Sequence, residues 1–269
     1  MGSRQPIDPA TRAGYEPVVE DDFSGDRLDA ALWFPHHLPQ WSSRVASAAR
    51  YRLGDGVLRL VVEEDQPPWC PELDGEVRVS SLQTGVFAGP VGSAEGQHRF
   101  SPRAVVREAQ DEARLFVPQF GLFEMRARVS DDPTSMAALW MIGFEDRPER
   151  SAEICIFEIF GRDVGAHSSA VGMGVHPFGD PTITDEFVRP LLPIDAREFH
   201  DYAVEWTPDH VAFFVDSALV TIVEQSPGYP MQFMLGTYAF PASDGSPPPG
   251  PYPKEFVVDR FRAYRRTGS

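Results

Sequence analysis

The chain has 269 residues, of which 42% are hydrophobic and 24% charged, and it carries a formal net charge of −16 at pH 7. This balance is typical of a folded protein and excludes a largely disordered chain. The negative charge disfavours nucleic acid and anionic lipid, and no stretch approaches the roughly 18 consecutive apolar residues of a membrane-spanning helix. We therefore expect no nucleic-acid partner and no membrane partner.

Twenty-six prolines and 22 glycines divide the chain into short segments, which leaves little room for long helices. Residues 120–129 alternate between apolar and charged side chains, as in a strand with one buried and one solvated face. Short apolar or alternating runs recur at 57–62, 77–87, 120–129, 136–144, 153–160, 169–175, 202–207, 211–215, 219–223, 231–238 and 256–264. Their spacing predicts an all-β sandwich or jelly roll.

The remaining segments complete the predicted organisation. Residues 202–223 have turn residues between alternating runs and predict a three-strand meander. A helix is expected only over 185–192, and the Gly-, Pro- and Ser-rich segment 236–253 is expected to form a surface loop. All-β sandwiches often use about 200 to 250 residues as one unit. We therefore predict a single domain over residues 1–269, with residues 1–15 as a flexible tail.

Two cysteines, Cys70 and Cys155, are too few for a disulfide framework or a cysteine-ligated zinc site. A disulfide between them would require the segment 69–71 to fold next to Cys155, which the sequence leaves open. Motifs of serine hydrolases, nucleotide enzymes, zinc proteases and EF-hands are absent from the sequence. No charged-then-apolar leader precedes the domain, so the compartment also stays open.

The predicted strand 153–160 carries two glutamates five positions apart, Glu153 and Glu158. Simple alternation would place them on opposite faces of the sheet, because side chains alternate with a period of two. A β-bulge near Phe157 would shift the register by one residue and return Glu158 to the face of Glu153. The two carboxylates would then point into the same groove.

Paired carboxyl groups suit the hydrolysis of a glycosidic bond, in which one attacks or stabilises the anomeric carbon and the other protonates the leaving oxygen. Like-charge repulsion raises the pKa of one member, so that it holds its proton near neutral pH. Neighbouring positions on one bulged strand predict a separation of about 5 to 5.5 Å, which is typical of retaining enzymes. From this short motif alone, a strand with one solvated and one salt-bridged glutamate is the simpler interpretation.

The predicted strand 153–160 and the segments around it follow a recognisable sequence pattern. The run from Glu153 to Glu158, followed by Ile-Phe-Gly, resembles the ExDxxE signature of glycoside hydrolase family 16, the laminarinase and agarase group. Residues 120–127, 138–141 and 199–209 are similar to the family's preceding strand, its Trp-bearing strand and its meander, and 22–25 and 258–264 are weaker matches. The resemblance spans nearly the whole domain and is sharp from about residue 119 to 220.

The resemblance implies a concanavalin A-like β-jelly roll of two antiparallel sheets, with a sugar-binding cleft on the concave sheet. It implies a retaining, endo-acting hydrolase in which Glu153 is the nucleophile and Glu158 the general acid/base. The bulged form of the motif is similar to that of laminarinases and agarases, so a neutral polysaccharide, β-1,3-glucan, is the expected substrate. The charge of the chain disfavours sulfated galactans.

The resemblance also suggests roles for residues outside the pair. Trp140 would stack on a sugar ring, although a Trp in an apolar strand is often a core residue. His176 would lie beside the cleft, whereas Trp206 is expected in the core and Phe144 stays open between core and cleft rim. No cofactor or catalytic metal is expected, although Asp259 matches a position that binds structural Ca²⁺ in some relatives. A secreted protein is expected from the resemblance, and the chain is expected to be a monomer.

Cys155 is the main departure from the family pattern, because it occupies the position of the middle Asp of the motif. The Asp is thought to hydrogen-bond the nucleophile, and a thiol is a weaker donor. Two flanking carboxylates disfavour the thiolate, so a cysteine nucleophile is not expected. We therefore expect weakened or narrowed catalysis, and the alternative is a lectin-like protein that binds carbohydrate without cutting it.

Overall fold

The computed structural model describes residues 6–267, which fold almost entirely into antiparallel strands. In chain order the strands are β1 (Tyr15–Asp21), β2 (Tyr51–Gly54), β3 (Val57–Val62), β4 (Arg78–Gln83), β5 (Gly85–Val86), β6 (Ala113–Arg114), β7 (Gly121–Arg128), β8 (Ser135–Gly143), β9 (Glu153–Phe160), β10 (Ser169–Ala170), β11 (Gly172–His176), β12 (Glu186–Val188), β13 (Leu191–Leu192), β14 (His200–Trp206), β15 (Val211–Val215), β16 (Ala218–Val223), β17 (Met231–Ala239) and β18 (Lys254–Arg266). The helices are single turns, namely α1 (Arg44–Ser47), α2 (Pro71–Asp74) and 3₁₀ turns at Pro39–Trp41 and Gly161–Asp163. No helix in this part of the chain is long and apolar enough to cross a membrane.

Two large sheets form the body of the domain. The first has the strand order β16-β15-β14-β7-β18-β3-β2, with β1 paired to β18, and the second has the order β12-β11-β9-β8-β17-β4. A single core of buried apolar side chains joins them and includes Trp33, Phe123, Phe157, Phe233 and Phe261. The predicted jelly-roll sandwich is therefore confirmed, as is the meander, which is formed by β14, β15 and β16.

Strand β8 shows how the six-stranded sheet is buried on both faces. Leu139 and Met141 point into the core between the sheets. Ala138, Trp140 and Ile142 point to the outer face, where they join a second apolar cluster. Side chains from the connecting loops cover this outer face, among them Leu38, Trp41, Trp69, Cys70, Ala104 and Val106. The loops thus wall in a space above the sheet instead of leaving it flat.

Strand β9 contains the predicted bulge. On β8, the adjacent residues Leu139 and Trp140 lie opposite Phe157 and Cys155, so β9 has one extra residue at Ile156. The same irregularity interrupts the pairing of β9 with β11. Ile156 and Phe157 are consecutive, yet both are buried in the core between the sheets. The extra residue shifts the alternation and returns Glu158 to the outer face.

The helix predicted over residues 185–192 is wrong, because this segment forms strands β12 and β13. β12 pairs with β11 at the edge of the six-stranded sheet, and β13 pairs with β10. Pro190 lies between them and has no backbone N–H for a helix. Sheet pairing thus outweighs a weak local helical pattern.

The amino-terminal segment is held against the sandwich from residue 7 onwards. The backbone N–H of Ile7 donates to Glu205 at 2.8 Å, and the guanidinium of Arg12 donates to Glu124 at 2.8 Å. These contacts do not fit the flexible tail expected over residues 1–15, of which residues 1–5 lie outside the described part of the chain.

Lys254 is the single lysine of the chain, and it is almost completely buried at the start of β18. Its ammonium donates to the carboxylate of Asp132 at 2.6 Å and to the hydroxyl of Thr134 at 2.8 Å. A buried charge is tolerated only when it is paired and hydrogen-bonded, as this one is. The contacts anchor the turn before β8 to the last strand.

Gly174 supports the bulged strand from β11, where it lies opposite Cys155, and we predict that Gly174→Ala is strongly destabilising. Its φ is +150°, and an added Cβ would lie 2.2 Å from the carbonyl oxygen of Glu186 on β12. We expect a loss of about 2 kcal/mol or more in the free energy of unfolding, measured by urea denaturation. Gly228→Ala is the control, because its Cβ would meet no atom within 4 Å. Equal effects of the two substitutions would contradict the prediction.

Candidate active site

A cavity of about 280 Å³ lies on the outer face of the six-stranded sheet. We call it the central cavity. Glu153, Cys155 and Glu158 of β9 all line it, because alternation places the first two on one face and the bulge returns Glu158 to that face. The other polar and aromatic lining residues are His37, Trp69, Asp74, His98, Phe100, Trp140, Tyr238 and Phe240. The cavity thus combines two carboxyl groups with aromatic walls, an arrangement suited to a sugar ring.

Glu153 is surrounded by protein on most sides. Burial, followed by the charge of Glu158, raises its pKa to about 8. At neutral pH the protein therefore holds a proton on Glu153, chiefly because burial disfavours the charged carboxylate.

Glu158 has a cationic partner in Arg189, which follows β12 and forms an ion pair with it. The same guanidinium approaches Asp163 at 3.5 Å and lies over the rings of Phe160 and Phe187, at 4.8 and 5.9 Å from their centres. Aromatic faces and two carboxylates thus fix the position of Arg189. The guanidinium compensates the negative charge of Glu158.

Cys155 lies between the two glutamates and is a free, buried thiol. Burial raises its pKa well above the usual value, and the carboxyl groups of Glu153 and Glu158 raise it further. Cys155 therefore stays protonated, which agrees with the expectation that it is no nucleophile. Cys70 is also free, and its Sγ donates to the carbonyl oxygen of Trp41 at 3.5 Å. The segment around Trp69 does border the cavity, but the disulfide that the sequence left open is not formed.

The structure separates the two residues predicted to bind substrate. Trp140 lines the central cavity together with Tyr238. His176 lies opposite Glu153 in the pairing of β11 with β9, but its ring stacks on Phe187 with centres 4.8 Å apart, and its Nδ1 contacts Asp185 at 2.7 Å. His176 is not among the side chains that line the cavity. Trp206, which was expected in the core, is buried. Phe144, which the sequence left open between core and cleft rim, is buried as well.

Several lining residues come from loops that the sequence analysis did not single out. His37 is buried between the rings of Trp69 and Tyr238, with centres 4.6 and 5.5 Å away, and burial lowers its pKa to about 3. Its Nδ1 has no hydrogen-bond partner among the described residues. A neutral, incompletely bonded imidazole in a polar cavity is suited to a sugar hydroxyl. Only the loop structure brings His37 here, because the sequence around it has no recognisable motif.

Asp259 does not have the surroundings of a calcium site. Its carboxylate forms an ion pair with Arg126, and residues 6–267 contain no group of three or more His, Cys, Asp or Glu side chains placed to hold a metal ion. Calcium requires six or more oxygen ligands. These side chains alone form no calcium cage, and the structural Ca²⁺ considered from the sequence stays a prediction.

Sequence comparison assigns the chain to a family. The profile of the glycosyl hydrolases family 16 matches residues 115–251, about half of the chain, and the protein belongs to this family. An endo-1,3-1,4-beta-glycanase from Rhizobium meliloti is 28% identical over 153 residues, which are 55% of this chain and 31% of that protein. A beta-glucanase from Rhodothermus marinus is 32% identical over 108 residues, which are 37% of this chain and 36% of that protein. The matches thus span about a third of these curated relatives.

Comparison with solved structures supports the same fold. A GlcNAcα1-4Gal releasing endo-β-galactosidase from Clostridium perfringens superposes with a TM-score of 0.81 at 28% identity, over 97% of this chain and 65% of that chain. A laminarinase from Flavobacterium sp. UMI-01 superposes with a TM-score of 0.64 at 19% identity, over 93% of this chain and 100% of that chain. Both family and jelly-roll fold agree with the expectations from the sequence.

The protonation of Glu153 predicts a pH-dependent effect of Glu153→Gln on stability. Since folding raises the pKa of Glu153 from 4.5 to about 8, its stabilising contribution is complete below about pH 4.5 and is lost as the pH rises to about 8. Gln cannot ionise, so we expect the variant to gain on the order of 5 °C in Tm over the wild type at pH 8.5, and little at pH 4.5. Thermal unfolding at both pH values measures this. The exposed Glu224→Gln serves as control, and an equal shift at both pH values would refute the explanation.

Proposed function

We propose that the protein is an endo-acting glycoside hydrolase that cuts internal β-linkages of a neutral polysaccharide and retains the anomeric configuration. The observation that carries this proposal is that one bulged strand turns Glu153 and Glu158 into the same cavity. Membership of family 16 and the names of the matched relatives, which include glucanases, a laminarinase and an endo-β-galactosidase, support it. The expected separation of about 5 to 5.5 Å between the carboxyl groups, on which retention depends, stays a prediction.

In the proposed reaction, the carboxylate of Glu153 attacks the anomeric carbon while the carboxyl of Glu158 gives its proton to the leaving oxygen. The glycosidic bond breaks, and the sugar is held by an ester bond to Glu153. Glu158 then takes a proton from water, whose oxygen attacks the anomeric carbon and releases Glu153. Each step conserves atoms and charge, and the second returns the proton to Glu158.

Arg189 forms an ion pair with Glu158, whereas Glu153 holds a proton at neutral pH. The proposed roles need the opposite distribution. We propose that an entering sugar separates Arg189 from Glu158, whereupon the proton moves to Glu158 and Glu153 becomes the anion. Arg189 retains Asp163 as a partner when it withdraws.

β-1,3-Glucan is the first substrate that we propose, because the bulged motif resembles that of laminarinases. A β-galactoside linkage is the second candidate, since the similarity to the endo-β-galactosidase is 28% in sequence and extends over 97% of this chain. The excess of negative charge disfavours sulfated or otherwise anionic polymers in both cases. Trp140 and His37 are the proposed contacts for the sugar face and its hydroxyl groups.

The test is release of reducing ends from laminarin, a mixed-linkage β-glucan and a neutral galactose-containing glycan. We expect at least one to be cut, and we expect Glu153→Gln and Glu158→Gln to lower kcat on the order of 10³-fold, because each removes an indispensable carboxyl group. Glu224→Gln, exposed and distant in sequence, should retain full activity. Binding of a polymer that is never cut would favour the lectin-like alternative.

Replacing each glutamate with Ala and adding azide as an external nucleophile distinguishes the nucleophile from the general acid/base. On an activated aryl glycoside of the sugar that is cut, Glu158→Ala should yield the β-glycosyl azide, whereas Glu153→Ala should yield the α-anomer. NMR identifies the products. The opposite pattern would reverse the proposed roles, and no dependence on either glutamate would overturn the catalytic pair.

Cys155→Asp restores a carboxyl group between the two glutamates, and we predict that it moves both limbs of the pH–rate profile to higher pH. A third carboxylate would disfavour ionisation of its neighbours in this buried position. Cys155→Ser is the matched control, because a hydroxyl adds no charge and should leave both limbs in place. Circular dichroism should show the fold unchanged in both variants, and an unaltered profile for the Asp variant would refute the electrostatic role of this position.

A further inference from the structure

Four buried glutamines connect the loops around the central cavity to the six-stranded sheet. Gln40, Gln83, Gln97 and Gln232 each have 0% of their surface exposed. Gln83 ends β4 and Gln232 lies on β17, whereas Gln40 and Gln97 belong to connecting loops. We call these four residues the amide network. A buried primary amide is costly unless its donors and acceptors are satisfied, so the partners of the four side chains show what the network holds together.

Gln97 is the centre of the amide network. Its Oε1 accepts the backbone N–H of Phe87 at 2.9 Å, and its Nε2 donates to the carbonyl oxygen of Phe144 at 3.1 Å and to Oε1 of Gln232. A backbone N–H can only donate and a carbonyl oxygen can only accept, so these partners fix the orientation of the amide. An amide satisfies both kinds of partner, whereas an ionised carboxylate can only accept.

The backbone of Gln97 extends the network to two further loops. Its carbonyl oxygen accepts the side-chain amide of Gln40 at 3.0 Å and the indole N–H of Trp41 at 2.8 Å. The carbonyl oxygen of Trp41 in turn accepts the thiol of Cys70 at 3.5 Å. The three loops are thus joined to one another as well as to the sheet.

Each of these loops brings an aromatic side chain to the central cavity, namely His37, Trp69 and His98. The backbone N–H of the residue after His37 donates to Oε1 of Gln83 at 3.1 Å. His98 directly follows Gln97 and has a φ of +48°, a left-handed conformation that costs about 1 kcal/mol or more outside glycine. Its neighbours must hold such a residue in place, and Gln97 is the neighbour with the most partners.

We propose that Gln97 is a positioning residue of the active site, whose amide holds the three loops against the sheet and so fixes His37, Trp69 and His98 around the glutamate pair. Gln97 is not among the side chains that line the cavity, so it acts through these residues. The inference rests on the proposed function for the reaction that the loops serve. A displacement of about 1 Å in groups that position a substrate can lower a rate about 100-fold, so a buried amide can control activity without contacting the sugar.

Two substitutions at Gln97 test the proposal through the pH dependence of kcat/KM, expressed at each pH as a ratio to the wild type. Gln97→Leu removes the donor and the acceptor, and we expect its ratio to be about tenfold low at every pH. Gln97→Glu keeps the shape, and its neutral carboxyl both donates and accepts. We expect a ratio near one at about pH 5 that falls about tenfold by about pH 9, because the ionised carboxylate loses its donor.

Ser169→Ala is the control for loss of a comparable buried hydrogen-bond bridge. Ser169 of β10 is completely buried, donates to the carbonyl oxygen of Ile194 at 3.0 Å and accepts the backbone N–H of Ala196 at 3.2 Å. It does not line the cavity. We expect a lower Tm with unchanged kcat/KM. If Gln97→Leu also lowers Tm and leaves kcat/KM unchanged, or if the ratio for Gln97→Glu does not vary with pH, the positioning role is refuted.

Hydrogen–deuterium exchange measures the same coupling without a substrate. In Gln97→Leu, we expect exchange to become about tenfold faster in residues 37–41, 69–74 and 96–98 together, and Ser169→Ala should change none of these segments. If Gln97→Leu does not fold, Gln97→Glu at about pH 5 and about pH 9 gives the same comparison. Faster exchange confined to 96–98 would overturn the proposal. If all three segments respond while the wild type cuts no glycan, the hydrolase proposal fails and the coupling of the loops through Gln97 stands.

Discussion

The extra residue in β9 is the feature on which the active-site arrangement depends. It allows Ile156 and Phe157 to fill the core on one side of the sheet while Glu153, Cys155 and Glu158 share the other side. In an unbroken strand one glutamate would point into the core, where an unpaired carboxylate costs several kcal/mol or more. The bulge therefore serves the stability of the sandwich and the chemistry of the cavity together.

The groups around the central cavity carry little net charge. The chain has a net charge of −16, yet the groups around the central cavity are held largely neutral. Burial keeps His37 and His98 uncharged, keeps a proton on Glu153, and keeps Cys155 as a thiol. Glu158 is compensated by Arg189. The excess negative charge is therefore kept away from the surface that a neutral glycan would contact.

Local patterns in the sequence were sufficient for the sheets and for the acidic pair, because both depend on alternation within a strand. The predicted run 153–160 coincides with β9, and the conflict between its alternation and its two glutamates indicated the bulge. His37, His98 and Arg189 were missed, because long-range folding of loops brings them to the cavity and no local period marks them. The helix over 185–192 was wrong for a related reason: pairing with β11 and β10 decides that segment, and pairing is not visible in a short window.

The buried ion pair between Lys254 and Asp132 has a practical consequence for handling the protein. Lys254 provides the only side-chain amine in the chain, and the folded sandwich encloses it. Acylating reagents directed at lysine should leave the native side chains unmodified and react with Lys254 only after the last strand separates from the turn before β8. The chain thus carries a built-in chemical reporter of global unfolding, and attachment to a support through lysine would select denatured molecules.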